Sequence, residues 1–91
     1  MAKTVIKFWA GYCGPCRQYA PTFTKVRNEL QEELGDTINF IEVDVEDDPE
    51  NMSAEYGVRG IPHTTVLVDG VRLRDIPGNL PEQELRKFIL N

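Results

Sequence analysis

The sequence predicts an α/β domain: a four-stranded mixed sheet with helices on both faces. Three observations lead there. β-branched and aromatic runs recur at residues 4–9, 38–45, 64–68 and 71–76. A long apolar stripe of helical period separates the first two runs. Asp69-Gly70 joins the last two as a tight hairpin turn. The element order is β-α-β-α-β-β-α.

Residues 4–9 read T-V-I-K-F-W, a largely buried strand, and Gly11 and Gly14 then mark a loop. From Pro15 onward, Tyr19, Phe23, Val26, Leu30 and Leu34 recur at steps of four, three, four and four, and Gly35 stops the helix. Pro21 falls inside it, removes a backbone donor and predicts a kink. Residues 38–45 (I-N-F-I-E-V-D-V) form the second strand, parallel to the first through a right-handed crossover. A short helix follows, capped by Asp48, with Pro49 in its first turn and Gly57 at its close. The last segment, residues 81–90, places Leu85, Phe88 and Ile89 on one face, with Asn79 and Leu80 competing to cap it.

Size and charge narrow the function classes. With 91 residues the chain is expected to form one domain, residues 1–91. Fifteen acidic against ten basic side chains leave a net charge of -5, and no basic stripe exists, so nucleic acid is not an expected partner. Lys3 and Lys7 interrupt the first apolar run, and no stretch is suited to span a bilayer. A cytosolic location is expected, where thiols stay reduced and structural disulfides are rare.

That setting gives the pair Cys13-Gly14-Pro15-Cys16 its meaning. Cysteines spaced i, i+3 at a helix start share a face, with Cβ atoms roughly 5–6 Å apart. A modest adjustment joins them, so dithiol and disulfide forms fit one backbone. Cys13 sits where free N–H groups and the helix dipole favour an anion, which makes its thiolate available for attack. Cys16, one turn in, is positioned to resolve the mixed disulfide. Gly14 admits another chain, and Pro15 starts the helix without wasting a donor. A structural zinc site wants about four ligands, and this chain offers two Cys and one His. Haem attachment needs His where Arg17 stands. Two inert core thiols stay open as the alternative, against which the Gly-Pro spacer argues.

Trp9-Ala10-Gly11-Tyr12-Cys13-Gly14-Pro15-Cys16 resembles the thioredoxin-family motif W-A-x-W-C-G-P-C with one change. The resemblance covers nearly the whole chain: Pro21 at the helix kink, Arg59-Gly60-Ile61-Pro62 like the R-G-I-P segment, Asp69-Gly70 at the hairpin and Gly78 in the last surface loop. Most thioredoxins begin with an extra strand and helix, so the chain resembles the family's short members. The resemblance implies a thioredoxin fold with sheet order 2-1-3-4 and a cis bond before Pro62, facing the dithiol. It implies that Ile61 offers its backbone to an extended substrate. Trp9, Tyr12, Gly60, Ile61, Pro62 and Gly78 would form a shallow docking surface, although Trp9 reads equally as core.

The sequence departs from the family at a charged pair. Thioredoxins usually carry a buried Asp two residues before the Trp, with a Lys on the neighbouring strand; here those positions hold Lys7 and Glu42. The expectation is that Lys7 and Glu42 touch beneath Cys16, with Glu42 as proton acceptor; the alternative is that Lys7 snorkels to solvent. Tyr12 keeps an aromatic face where Trp is usual. His63, the only histidine, is expected as an exposed strand-entry side chain, and in a different setting it would tune the thiolate.

The resemblance implies a monomeric protein dithiol–disulfide oxidoreductase with a redox-active Cys13–Cys16 disulfide and no bound cofactor. Its substrates would be protein disulfides, with ribonucleotide reductase as one client. Electrons would come from an NADPH-dependent flavin enzyme, thioredoxin reductase. The rival readings are a glutathione-linked, glutaredoxin-like enzyme and a non-catalytic binding subunit using the surface around Pro62.

Overall fold

The computed structural model describes residues 2–91. Strand β1 (Lys3–Trp9) pairs in parallel with β2 (Ile38–Asp44) and antiparallel with β3 (His63–Val68). Strand β4 (Val71–Pro77) closes the far edge, giving the order β2-β1-β3-β4 expected from the resemblance. Asp69 and Gly70 both adopt positive φ, 51° and 82°, the geometry that lets a two-residue turn match the strand twist.

Helices cover both faces. On one, Tyr19, Phe23, Val26 and Leu30 of α1 (Gly14–Leu34) pack with Leu85 and Ile89 of α3 (Glu82–Leu90) against Val5, Ile38 and Val66. On the other, α2 (Met52–Glu55) brings Met52 and neighbouring Tyr56 onto Ile6, Phe8, Val43 and Leu67. Each fully buried apolar side chain contributes about 1.5–3 kcal/mol, so α1 is held mainly by its stripe. Leu34, expected on that stripe, is instead 38% exposed. A 21-residue helix reaches about 32 Å against about 23 Å for a seven-residue strand, so its last turn overhangs the sheet. The helix runs on through Pro21.

Two helix starts differ from expectation. Asp48 caps α2 from a distance: its carboxylate accepts the amides of Met52 and Ser53 and the Ser53 hydroxyl at 2.8–2.9 Å. Asn51, at φ 56°, is left-handed, so no helix can include it and α2 begins one residue later, beyond Pro49. At α3 neither Asn79 nor Leu80 caps; Pro81 stands at the N-cap with no side-chain bond. Glu82 and Glu84 place negative charge in that first turn, where the dipole favours it.

His63 is buried, not exposed: it retains 6% of its surface. Strand β3 is interior to the sheet, so its first side chain is covered by neighbours on both sides. The imidazole meets the Phe8 ring edge-on at 6.1 Å, and its Nε2 lies 3.5 Å from Asp75 Oδ1. Burial pushes its pKa below the usual histidine value; Asp75 pulls it up and Arg72 adds to the lowering. No helix among the described residues is long and apolar enough to cross a membrane.

Two outcomes are expected. Phe23→Ala removes the ring that meets Tyr19 at 5.9 Å and Phe40 at 5.8 Å, and should cost about 3–5 kcal/mol in urea unfolding. Because the unfolded chain binds a proton at His63 more readily than the folded one, stability should be full above about pH 6.5 and fall as pH drops below it. His63→Gln should reduce that fall, seen as a smaller difference between urea midpoints at neutral and mildly acidic pH.

Candidate functional site

Strand β1 ends at Trp9, whose carbonyl accepts the Val45 amide at 2.8 Å. The chain then turns sharply, closed by the Cys13 amide on the Ala10 carbonyl at 3.2 Å. Cys13 stands at the N-cap of α1 with extended backbone (φ -88°, ψ 108°), and its Sγ accepts the Cys16 amide at 3.1 Å. No acidic residue occupies that first turn, so sulfur takes the place a capping oxygen usually holds. Pro15 fits there because the first turn needs no donor from it. Arg17 Nη1 donates to the Gly11 carbonyl at 2.9 Å and braces the loop.

Cys13 and Cys16 are joined by a disulfide, with Cα atoms 5.2 Å apart. Only a small part of either residue reaches solvent, Cys13 more than Cys16. Facing them is the cis Ile61–Pro62 bond that the resemblance implied. Cys13 Sγ lies 3.7 Å from the Ile61 carbonyl oxygen across 48 residues of chain. The Pro62 carbonyl accepts the Gly78 amide at 2.7 Å, which ties the last surface loop to this corner.

A groove of about 160 Å³ runs beside the disulfide, lined by Tyr12, Val45, Ser53, Arg59, Gly60 and Ile61 among others. Tyr12 is 68% exposed at its rim. Trp9 is half-buried and packs against the cluster of Ala10 and the two cysteines. It is therefore both a packing residue and a wall.

Behind Cys16 opens a second cavity of about 320 Å³, walled by Lys7, Trp9, Arg17, Ala20 and Glu42 with Cys16 itself. The structure brings Lys7 and Glu42 together. They are register partners on β1 and β2, and Lys7 Nζ lies 2.9 Å from Glu42 Oε1. Lys7 does not snorkel; its side chain is 5% exposed, with Nζ 4.9 Å above the Phe23 ring. Glu42 is half-open and meets a second cation, Arg27, whose Nη1 is 3.2 Å from Oε2. Arg27 was absent from the sequence expectations. The signal lay in the helical period: Arg27 follows Phe23 by four residues and so shares its side of α1.

Chemically, the corner can hold sulfur as an anion at a helix terminus, close a bridge to a second sulfur one turn away, and present an extended backbone beside both.

Comparison with known proteins agrees with this geometry. The family model described as Thioredoxin matches residues 1–91. The chain is 39% identical over 82 residues to a thioredoxin of Listeria monocytogenes, covering 90% of this chain and 75% of that one. It is 37% identical over 82 residues to a thioredoxin of Bacillus subtilis, covering 90% and 74%. Among solved structures, the Fasciola hepatica thioredoxin superposes with a TM-score of 0.83 at 31% identity, over 97% of this chain and 78% of that one. The chain thus spans about three-quarters of the length of these relatives and belongs to the thioredoxin family of thiol–disulfide oxidoreductases.

Proposed function

We propose that the chain is a cytosolic protein-disulfide reductase in which Cys13 attacks and Cys16 resolves. One observation carries the assignment of roles: the Cys16 amide donates to Cys13 Sγ at the N-terminus of a 21-residue helix. That bond and the helix dipole favour negative charge on Cys13, the sulfur nearer solvent.

The reaction balances as two exchanges. The Cys13 thiolate attacks one sulfur of the substrate disulfide, forms a mixed disulfide and expels the other substrate sulfur as a thiolate, which takes a proton. Cys16 loses its proton toward the cavity walled by Lys7 and Glu42, then attacks Cys13 Sγ. The Cys13–Cys16 bridge closes, and the second substrate sulfur leaves and is protonated. Two electrons pass from the dithiol to the substrate.

The substrate segment docks in the groove between Tyr12 and Ile61, where the backbone of Ile61 offers strand-like pairing. Gly60 and Gly78 keep this surface low, and Pro62 and Trp9 shape it. Electrons return from an NADPH-dependent flavin enzyme of the thioredoxin reductase type, and ribonucleotide reductase is a fitting client. The protein acts as a monomer and needs no bound prosthetic group.

With insulin as a probe disulfide, Cys13→Ser should reduce turnover to background, and Cys16→Ser should stall at a mixed disulfide visible by mass spectrometry. Turnover should be supported by thioredoxin reductase and NADPH far better than by glutathione; the reverse would favour the glutathione-linked reading. In the Cys16→Ala variant, Cys13 should be alkylated at pH 7 at least about tenfold faster than a free cysteine. Equal rates would remove the assignment of Cys13 as nucleophile.

A further inference from the structure

Lys7 and Glu42 line the cavity behind Cys16, and Arg27, outside that lining, reaches Glu42 from the partly exposed side. Lys7 and Arg27 both pair with Glu42, one on each carboxylate oxygen, at 2.9 and 3.2 Å. Two cations share one carboxylate, so one positive charge is left over. Arg17 adds a third cation at the cavity rim, where it is exposed and screened by water. Glu42 is the one carboxylate lining the cavity among the described residues. Lys7 is the buried member and lines the same cavity as Cys16, so its field is the least screened.

This arrangement has a consequence opposite in sign to that of a buried carboxylate. A lone carboxylate beside a thiol takes up a proton and opposes negative charge on sulfur; a net cation favours the thiolate directly. With both of its oxygens engaged, Glu42 serves as a counter-ion. Building on the reading that Cys16 resolves the mixed disulfide, we propose that the Arg27–Glu42–Lys7 chain acts as a net cation behind Cys16, favouring its thiolate and speeding resolution. Arg27 is then a positioning residue that acts through Glu42, and the proton of Cys16 leaves to water rather than to the carboxylate.

The test is stopped-flow reaction of the fully reduced protein with an aromatic disulfide that releases a coloured thiolate at each of two steps. The first release reports attack by Cys13, the second resolution by Cys16. Arg27→Gln should leave the first release unchanged, slow the second about threefold near neutral pH and move its pH profile upward by roughly half a unit. Arg27→Lys should restore the profile. Glu42→Gln, which frees both cations, should speed the second release and move its profile downward. A second release that Arg27→Gln leaves unmoved overturns the proposal, as does one that Glu42→Gln slows. Loss of a fast first release in the unaltered protein would instead overturn the assignment of Cys13, and so separates the two failures.

Discussion

Strand β1 is the constraint from which the site follows. It is hydrogen-bonded on both sides and covered on both faces, with Val5, Ile6 and Phe8 almost wholly out of water. A strand so enclosed has one direction of exit, at Trp9. The turn that follows delivers a cysteine to the first N–H groups of α1, and the burial of Tyr19, Phe23, Val26 and Leu30 holds that helix in place. The sulfur chemistry rests on where a strand ends and a helix begins.

The same strand carries the least conventional residue in the core. An isolated buried lysine would cost several kcal/mol, and here two features offset that cost, while a third contact shares the counter-ion. Glu42 faces it in register across the parallel pair, Phe23 lies beneath the ammonium, and Arg27 closes the carboxylate from the far side. The exchange of sign relative to the usual family pattern is thus accommodated by a chain of contacts rather than by exposure. It also sets charged side chains behind Cys16, whereas Cys13 faces backbone donors at the helix start.

Much of the fold was legible because its signals are local. The stripe from Tyr19 to Leu30 depends on a period of 3.6 residues, and the Asp69-Gly70 turn on two positive φ angles that these residues tolerate. Where a local signal was misjudged, a second local preference had won. Asn51 in the left-handed region displaced the start of α2, although Asp48 still supplies the cap. His63 differs for another reason: at the first residue of a strand, nothing local tells whether side chains of the adjoining strands, here Phe8 and Asp75, will cover it.

The sequence by itself determined the dithiol, its place at a helix start, the order of elements and, by resemblance, the cis bond before Pro62. Tertiary structure alone decided that Lys7 is enclosed rather than solvated, that His63 is covered, and that Arg27 shares the Glu42 carboxylate. Helical period, capping and turn geometry act between residues a few positions apart, so a linear text contains them. Burial and charge pairing depend on which distant segment comes alongside, and only the closed sheet with its packed helices settles that.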